Sequence, residues 1–129
     1  MGTEIYVQGY RNRRPAGLGA DRVRAILGVC GPGPLYRLAY DDAHHCELSL
    51  TGRTGLATSF AILRPCDHPA LWLALFAVLT EGPYVLFAPD GNAPVAAGQT
   101  PDLPSGMADA LGAPVIVDTP GAIRPALFG

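Results

Sequence analysis

The sequence predicts an α+β fold. In it, a single domain's mixed, mostly antiparallel sheet is packed by one long apolar helix, at about residues 69–81, and by two or three short helices. Three observations lead there. With 129 residues, 49% hydrophobic and 16% charged, the chain suits one core that buries roughly two-thirds of its unfolded surface. Strand-like and helix-like periods interleave, with both hairpin and crossover spacings between them. One run, "PALWLALFAVL", is apolar on nearly every side, as in a helix covered from more than one direction.

Element by element, "EIYVQGY" alternates Ile5 and Val7 against Tyr6, Gln8 and Tyr10, a strand pattern. The loop "RNRRPAGLGA" leads to Asp21, which opens a short helix, "DRVRAILG", closed by Gly28. "LYRLAY" is a second strand, with Tyr36, Leu38 and Tyr40 on one face. "HCELSL" and "LATSFAIL" flank "TGRTG" as a hairpin with a five-residue loop. Setting Leu50 opposite Leu56 would put Cys46 opposite Phe60 and His44 opposite Ile62.

The apolar helix carries Leu71, Trp72, Leu75, Phe76 and Leu79 at 3-4 spacing, with Asp67 at its N-cap, Pro69 in its first turn and Gly82-Pro83 as its stop. "YVLFA" is a buried strand, "PDGN" a turn, and Pro94 marks the strand after it as an edge. "LPSGMADALG" gives a short helix ended by Gly112, "PVIVD" a further buried strand, and Thr119 caps a last short helix limited by Pro125.

All nine basic residues are arginine. The absence of lysine rules out a Schiff-base lysine and a P-loop lysine. With 16 Gly and 13 Pro, the composition matches GC-rich coding and points to a bacterial source. Net charge is −2, which disfavours a nucleic-acid track. The charge is uneven, since residues 1–40 carry six arginines against Glu4 and Asp21. Three cysteines without a CxxC pair, and no apolar leader-type stretch, predict reduced thiols in the cytoplasm. The apolar run is about half the ~20 residues of a membrane span, so no membrane association is expected.

Two clusters could carry chemistry. His44, His45 and Cys46 stand at the start of a strand, and Cys66 and His68 precede the apolar helix. Cys66, His68 and His44 are the candidate catalytic groups of a thiol- or metal-dependent hydrolase. His44, Cys46, Cys66 and His68 together have the composition of a zinc tetrad. The hairpin register above argues against the tetrad, and for the catalytic groups nothing in the sequence places the thiol and a histidine within hydrogen-bond reach. That register leaves Cys66 some six residues, roughly 20 Å of extended chain, beyond Cys46's partner. The second cluster is Tyr10, Arg11, Arg13 and Arg14, whose guanidinium forks suit phosphates and carboxylates.

The preferred expectation is a small non-catalytic binding or regulatory domain, without cofactor or metal. It would use the arginine loop for an acidic or phosphorylated partner. The hydrolase is the alternative. A structural homodimer, paired through the apolar helix or an edge strand, is the second alternative.

Overall fold

The computed structural model describes residues 4–31, 33–50, 55–89, 91–98 and 101–128. It is a mixed α/β structure with an eight-stranded, mostly antiparallel sheet and four α-helices. The strand β1, Ile5–Arg11, lies in the middle. Its alternation buries Ile5 and Val7 completely, and burying each such side chain contributes roughly 1.5–3 kcal/mol. A two-residue β2, Arg14–Pro15, folds back on it. The helix α1, Ala20–Leu27, then ends at Gly28, whose φ of 73° is the left-handed C-cap that glycine adopts without strain.

Three antiparallel strands follow: β3, Leu35–Ala39; β4, His45–Ser49; and β5, Ser59–Leu63. After α2, Pro69–Glu81, come β6, Tyr84–Phe87, and β7, Val95–Ala97. The helix α3, Ser105–Leu111, leads to β8, Val115–Val117, which pairs with β7 in parallel. A 3-10 turn, Pro120–Ala122, runs into α4, Ile123–Phe128. The sheet order is β3-β4-β5-β1-β6-β7-β8, with β2 attached to β1 alone.

Several expectations are corrected. The β4–β5 register sets Leu48 opposite Ile62 and Glu47 opposite Leu63, four positions further along than expected. Leu56 is the reason: it leaves the hairpin, is 64% exposed, and forms an isolated bridge with Gly19 near α1. An even slip keeps every side chain on its expected face, so Cys46, Leu48, Phe60 and Ile62 are still buried. The loop expected at "TGRTG" lies largely outside the described residues, as does Asp90 of the "PDGN" turn.

Pro94 does not mark an edge. β7 is flanked on both sides, and the Pro94 carbonyl accepts a hydrogen bond from Val115 N–H at 2.8 Å. The edge is β8 instead, where Val115 and Ile116 are 41% and 40% exposed, so "PVIVD" is not a buried strand. Thr119 precedes the 3-10 turn but makes no side-chain capping bond.

The helix expected at 69–81 spans Pro69–Glu81 and buries Leu71, Trp72, Leu75, Val78 and Leu79. At 13 residues it does not dominate the architecture; the sheet does. It packs on β6 and β7 and is flanked by α1, the 3-10 turn and α4. The apolar character on its other sides is therefore met largely within the chain, and among its large apolar residues only Leu73 is exposed, at 62%. Among the described residues, no helix is long and apolar enough to cross a membrane.

Candidate functional site

The two halves of the thiol–histidine cluster converge. The register slip carries β5 four residues closer to the start of β4. Arg64, at φ 51°, then bends the chain just before Pro65. That bend returns Cys66 to β4, where its thiol donates towards Cys46 Sγ at 4.0 Å. Cys46 is 2% exposed, Cys66 half-buried. Burial first, and the neighbouring Cys66 second, push the Cys46 thiol up to about 12, so it rests as a protonated thiol at ordinary pH.

Asp41 organises the histidines. Its Oδ1 accepts from the backbone N–H groups of Ala43 and His44, at 2.8 and 2.7 Å. The His44 ring Nδ1 meets the same carboxylate at 2.9 Å, and this contact, before the backbone bonds, holds the Asp41 carboxyl below its usual range. His68 Nε2 lies 3.5 Å from Asp41 Oδ2. The ring of His68 stacks on Tyr40 with centroids 5.1 Å apart and meets His44 at 5.4 Å.

His68, not Asp67, is the N-cap of α2. Its Nδ1 accepts from Ala70 N–H at 3.1 Å, which places the proton of the neutral ring on Nε2, towards Asp41. Asp67 instead accepts from Trp72 Nε1 at 3.0 Å and pairs with Arg124 at 3.4 Å. Asp67, Trp72 and Arg124 line a cleft of about 500 Å³ with Pro120 and Pro125. Sequence reasoning missed this group, because nothing local announces that Arg124 of α4 returns to the start of α2. Among the described residues, no three His, Cys, Asp or Glu side chains are placed to share a metal ion. His44, Cys46, Cys66 and His68 thus share one corner without the geometry of a zinc tetrad. His45, on β4, faces solvent.

One atom in this corner is unusual. The Tyr40 hydroxyl is buried with no hydrogen-bond partner among the described residues. Burial, followed by Cys46 and Cys66, pushes its pKa up to about 12. An unpaired buried hydroxyl is destabilising, so Tyr40→Phe is expected to raise stability by about 1 kcal/mol. Urea unfolding measures this directly, and a loss of stability would mean that the hydroxyl is paired in solution.

The arginine cluster is not an open loop. It is a tight β-hairpin in which Tyr10 pairs with Pro15 and Arg11 with Arg14. Asn12 and Arg13 form its turn, at φ 54° and 63°, the positive-φ pattern that matches strand twist. Asparagine suits such a position, whereas arginine there is strained. Arg13 N–H donates to the Asp102 carbonyl at 3.1 Å, and its guanidinium lies 3.7 Å from the Asp102 carboxylate. The Tyr10 hydroxyl donates to Gln8 Oε1 at 2.7 Å. Beside the hairpin is a cleft of about 470 Å³ whose lining includes Tyr10, Arg11, Glu81 and Asp102. Glu81 is paired with Arg22, Nε to Oε2 at 2.8 Å, which lowers the Glu81 pKa. At the N-terminus of α1, Asp21 pairs with Arg24 at 2.7 Å, so that end already holds a carboxylate.

Comparison of the chain with known protein families, curated proteins and solved structures gives no match.

Proposed function

We propose that this chain is a non-catalytic binding domain that recognises a phosphorylated or acidic group through the hairpin of Arg11, Arg13 and Arg14. One observation carries the reading: Arg11 stands directly opposite Arg14 across a two-residue turn. Like charges in that position destabilise a strand pair, and the left-handed Arg13 adds backbone strain. Neither Arg11 nor Arg14 has an ion-pair partner among the described residues. Features that break local rules without internal compensation concentrate at functional positions. Two guanidinium groups carried by directly opposite residues make a receptor for one phosphate or carboxylate.

Tyr10 adds a flat contact surface beside them. The carboxylates of Glu81 and Asp102 at the cleft favour a single anionic group over an extended polyanion. The thiol–histidine corner supports a non-catalytic reading, because Cys46 is held neutral and His68 is engaged as a helix cap.

Isothermal titration with a phosphoserine peptide tests the proposal. Arg11→Ala/Arg14→Ala is expected to weaken binding at least tenfold, about 1.4 kcal/mol, and binding should fall as salt is raised. Stability of Arg11→Ala/Arg13→Ala/Arg14→Ala should stay within about 0.5 kcal/mol of the parent. Unchanged peptide affinity in the double variant would sink the reading.

A further inference from the structure

We propose that Cys46 and Cys66 are an oxidation site, forming a reversible disulfide when the protein meets a peroxide. The inference rests on the corner between β4 and α2 and is independent of the hairpin. The two thiols lie 20 positions apart in sequence, yet their sulfurs are 4.0 Å apart, already joined by an S–H···S contact. The convergence has a specific structural origin. An even register slip keeps Cys46 on the buried face, and the left-handed Arg64 before Pro65 turns Cys66 onto it. The two thiols differ in access, since Cys66 is half-buried and Cys46 almost wholly buried. That asymmetry assigns them different roles.

Cys66, the accessible sulfur, attacks one peroxide oxygen. The O–O bond breaks, water leaves with the thiol proton, and Cys66 becomes a sulfenic acid. The Cys46 sulfur then attacks the Cys66 sulfur. The S–O bond breaks, and the hydroxide leaves as water with the Cys46 proton. The two thiols have lost two electrons, and one hydrogen peroxide has become two waters. The Tyr40 hydroxyl is buried in the same corner without a hydrogen-bond partner among the described residues, so its donor is free for the sulfenic acid oxygen. A thiol reductant reverses the bond by exchange. In the oxidised form β4 is tied covalently to the entry of α2, which constrains the unfolded chain. Cys30, the third cysteine, is exposed and supplies the internal control.

The test is to treat the full chain with about one equivalent of hydrogen peroxide and map it by non-reducing peptide mass spectrometry. The expected product is a Cys46–Cys66 crosslink, about 2 Da lighter than the dithiol, in the parent and in Cys30→Ser alike. The melting temperature should rise by roughly 10 °C on oxidation and return with dithiothreitol. Cys66→Ser should lose both effects. Overoxidation of Cys66 with Cys46 untouched, or dimers linked through Cys30 with no Cys46–Cys66 crosslink, would overturn the proposal. Because the mapping uses the parent chain, it stands even if a variant folds poorly.

Discussion

Tyr84→Phe is expected to lose about 2–3 kcal/mol of stability, a large share of the 5–15 kcal/mol typical of a native protein. Tyr84 is 1% exposed, and its hydroxyl is used twice. It donates to the Ala57 carbonyl at 2.6 Å and accepts from Leu18 N–H at 2.9 Å. Phenylalanine would keep the ring but strip two backbone groups of a partner at a buried site. The ring itself sits among glycines. A Cβ at Gly82 would meet Tyr84 Cε2 at 2.4 Å, and one at Gly17 would meet the Ala57 carbonyl oxygen at 2.2 Å.

Gly82→Ala should therefore lose about 3 kcal/mol, because a buried ring between strands has nowhere to move. Gly9 and Gly17 also bracket the arginine hairpin, so Tyr84 anchors the base from which Arg11 and Arg14 project. Urea unfolding with an unchanged m-value is the measurement. A loss below about 0.5 kcal/mol for Tyr84→Phe would show that Leu18 and Ala57 find other partners.

Much of this frame was legible because it rests on local rules. The 69–81 helix, the Gly28 and Gly112 stops and the alternation of β1 each follow from a few neighbouring residues. What stayed hidden was long-range. Leu56 reads as the start of a return strand, and only its bridge to Gly19, 37 positions back, pulls it out of the ladder. The four-residue slip then overturns the expected separation, since it brings Cys66 to Cys46 rather than leaving it far away.

The helix cap failed for a related reason. Asp67 and His68 can both cap, and the choice is made by Trp72 and Arg124, which engage Asp67. Pro94 misled because proline excludes ladder bonding only on its own N–H side, while its carbonyl still accepts from Val115. The arginine cluster was legible as charge. The Arg11–Arg14 opposition was not, because it depends on the two-residue turn through Asn12 and Arg13.

Stability should form a plateau at intermediate pH and fall steeply at the alkaline end, where the chain is unusually simple to interpret. It contains no lysine, and arginine stays charged, so only cysteine and tyrosine side chains titrate above about pH 9. Burial raises the Cys46 thiol from 9.0 to about 12 and the Tyr40 hydroxyl from 10.0 to about 12, and it raises Tyr84 as well. Groups with raised folded values stabilise the fold fully below their unfolded values and lose that contribution as pH climbs through the interval. Each pH unit in the interval removes up to about 1.4 kcal/mol per group.

The acid side has the opposite sign. Asp41 and Glu81 are held below 3.8 and 4.5 by His44 and Arg22, so their contribution is present above those values and fades as pH falls below them. Cys46→Ala combined with Tyr40→Phe should flatten the alkaline limb and leave the acid limb unchanged. Asp41→Asn with Glu81→Gln should do the reverse. Urea midpoints between about pH 3 and 11 read both limbs. An alkaline limb that persists in the Cys46 and Tyr40 double variant would place the titrating group elsewhere, with Tyr84 the next to replace. Peroxide-treated protein supplies an independent check, because a Cys46 sulfur held in a disulfide has no proton to lose and should flatten the same limb.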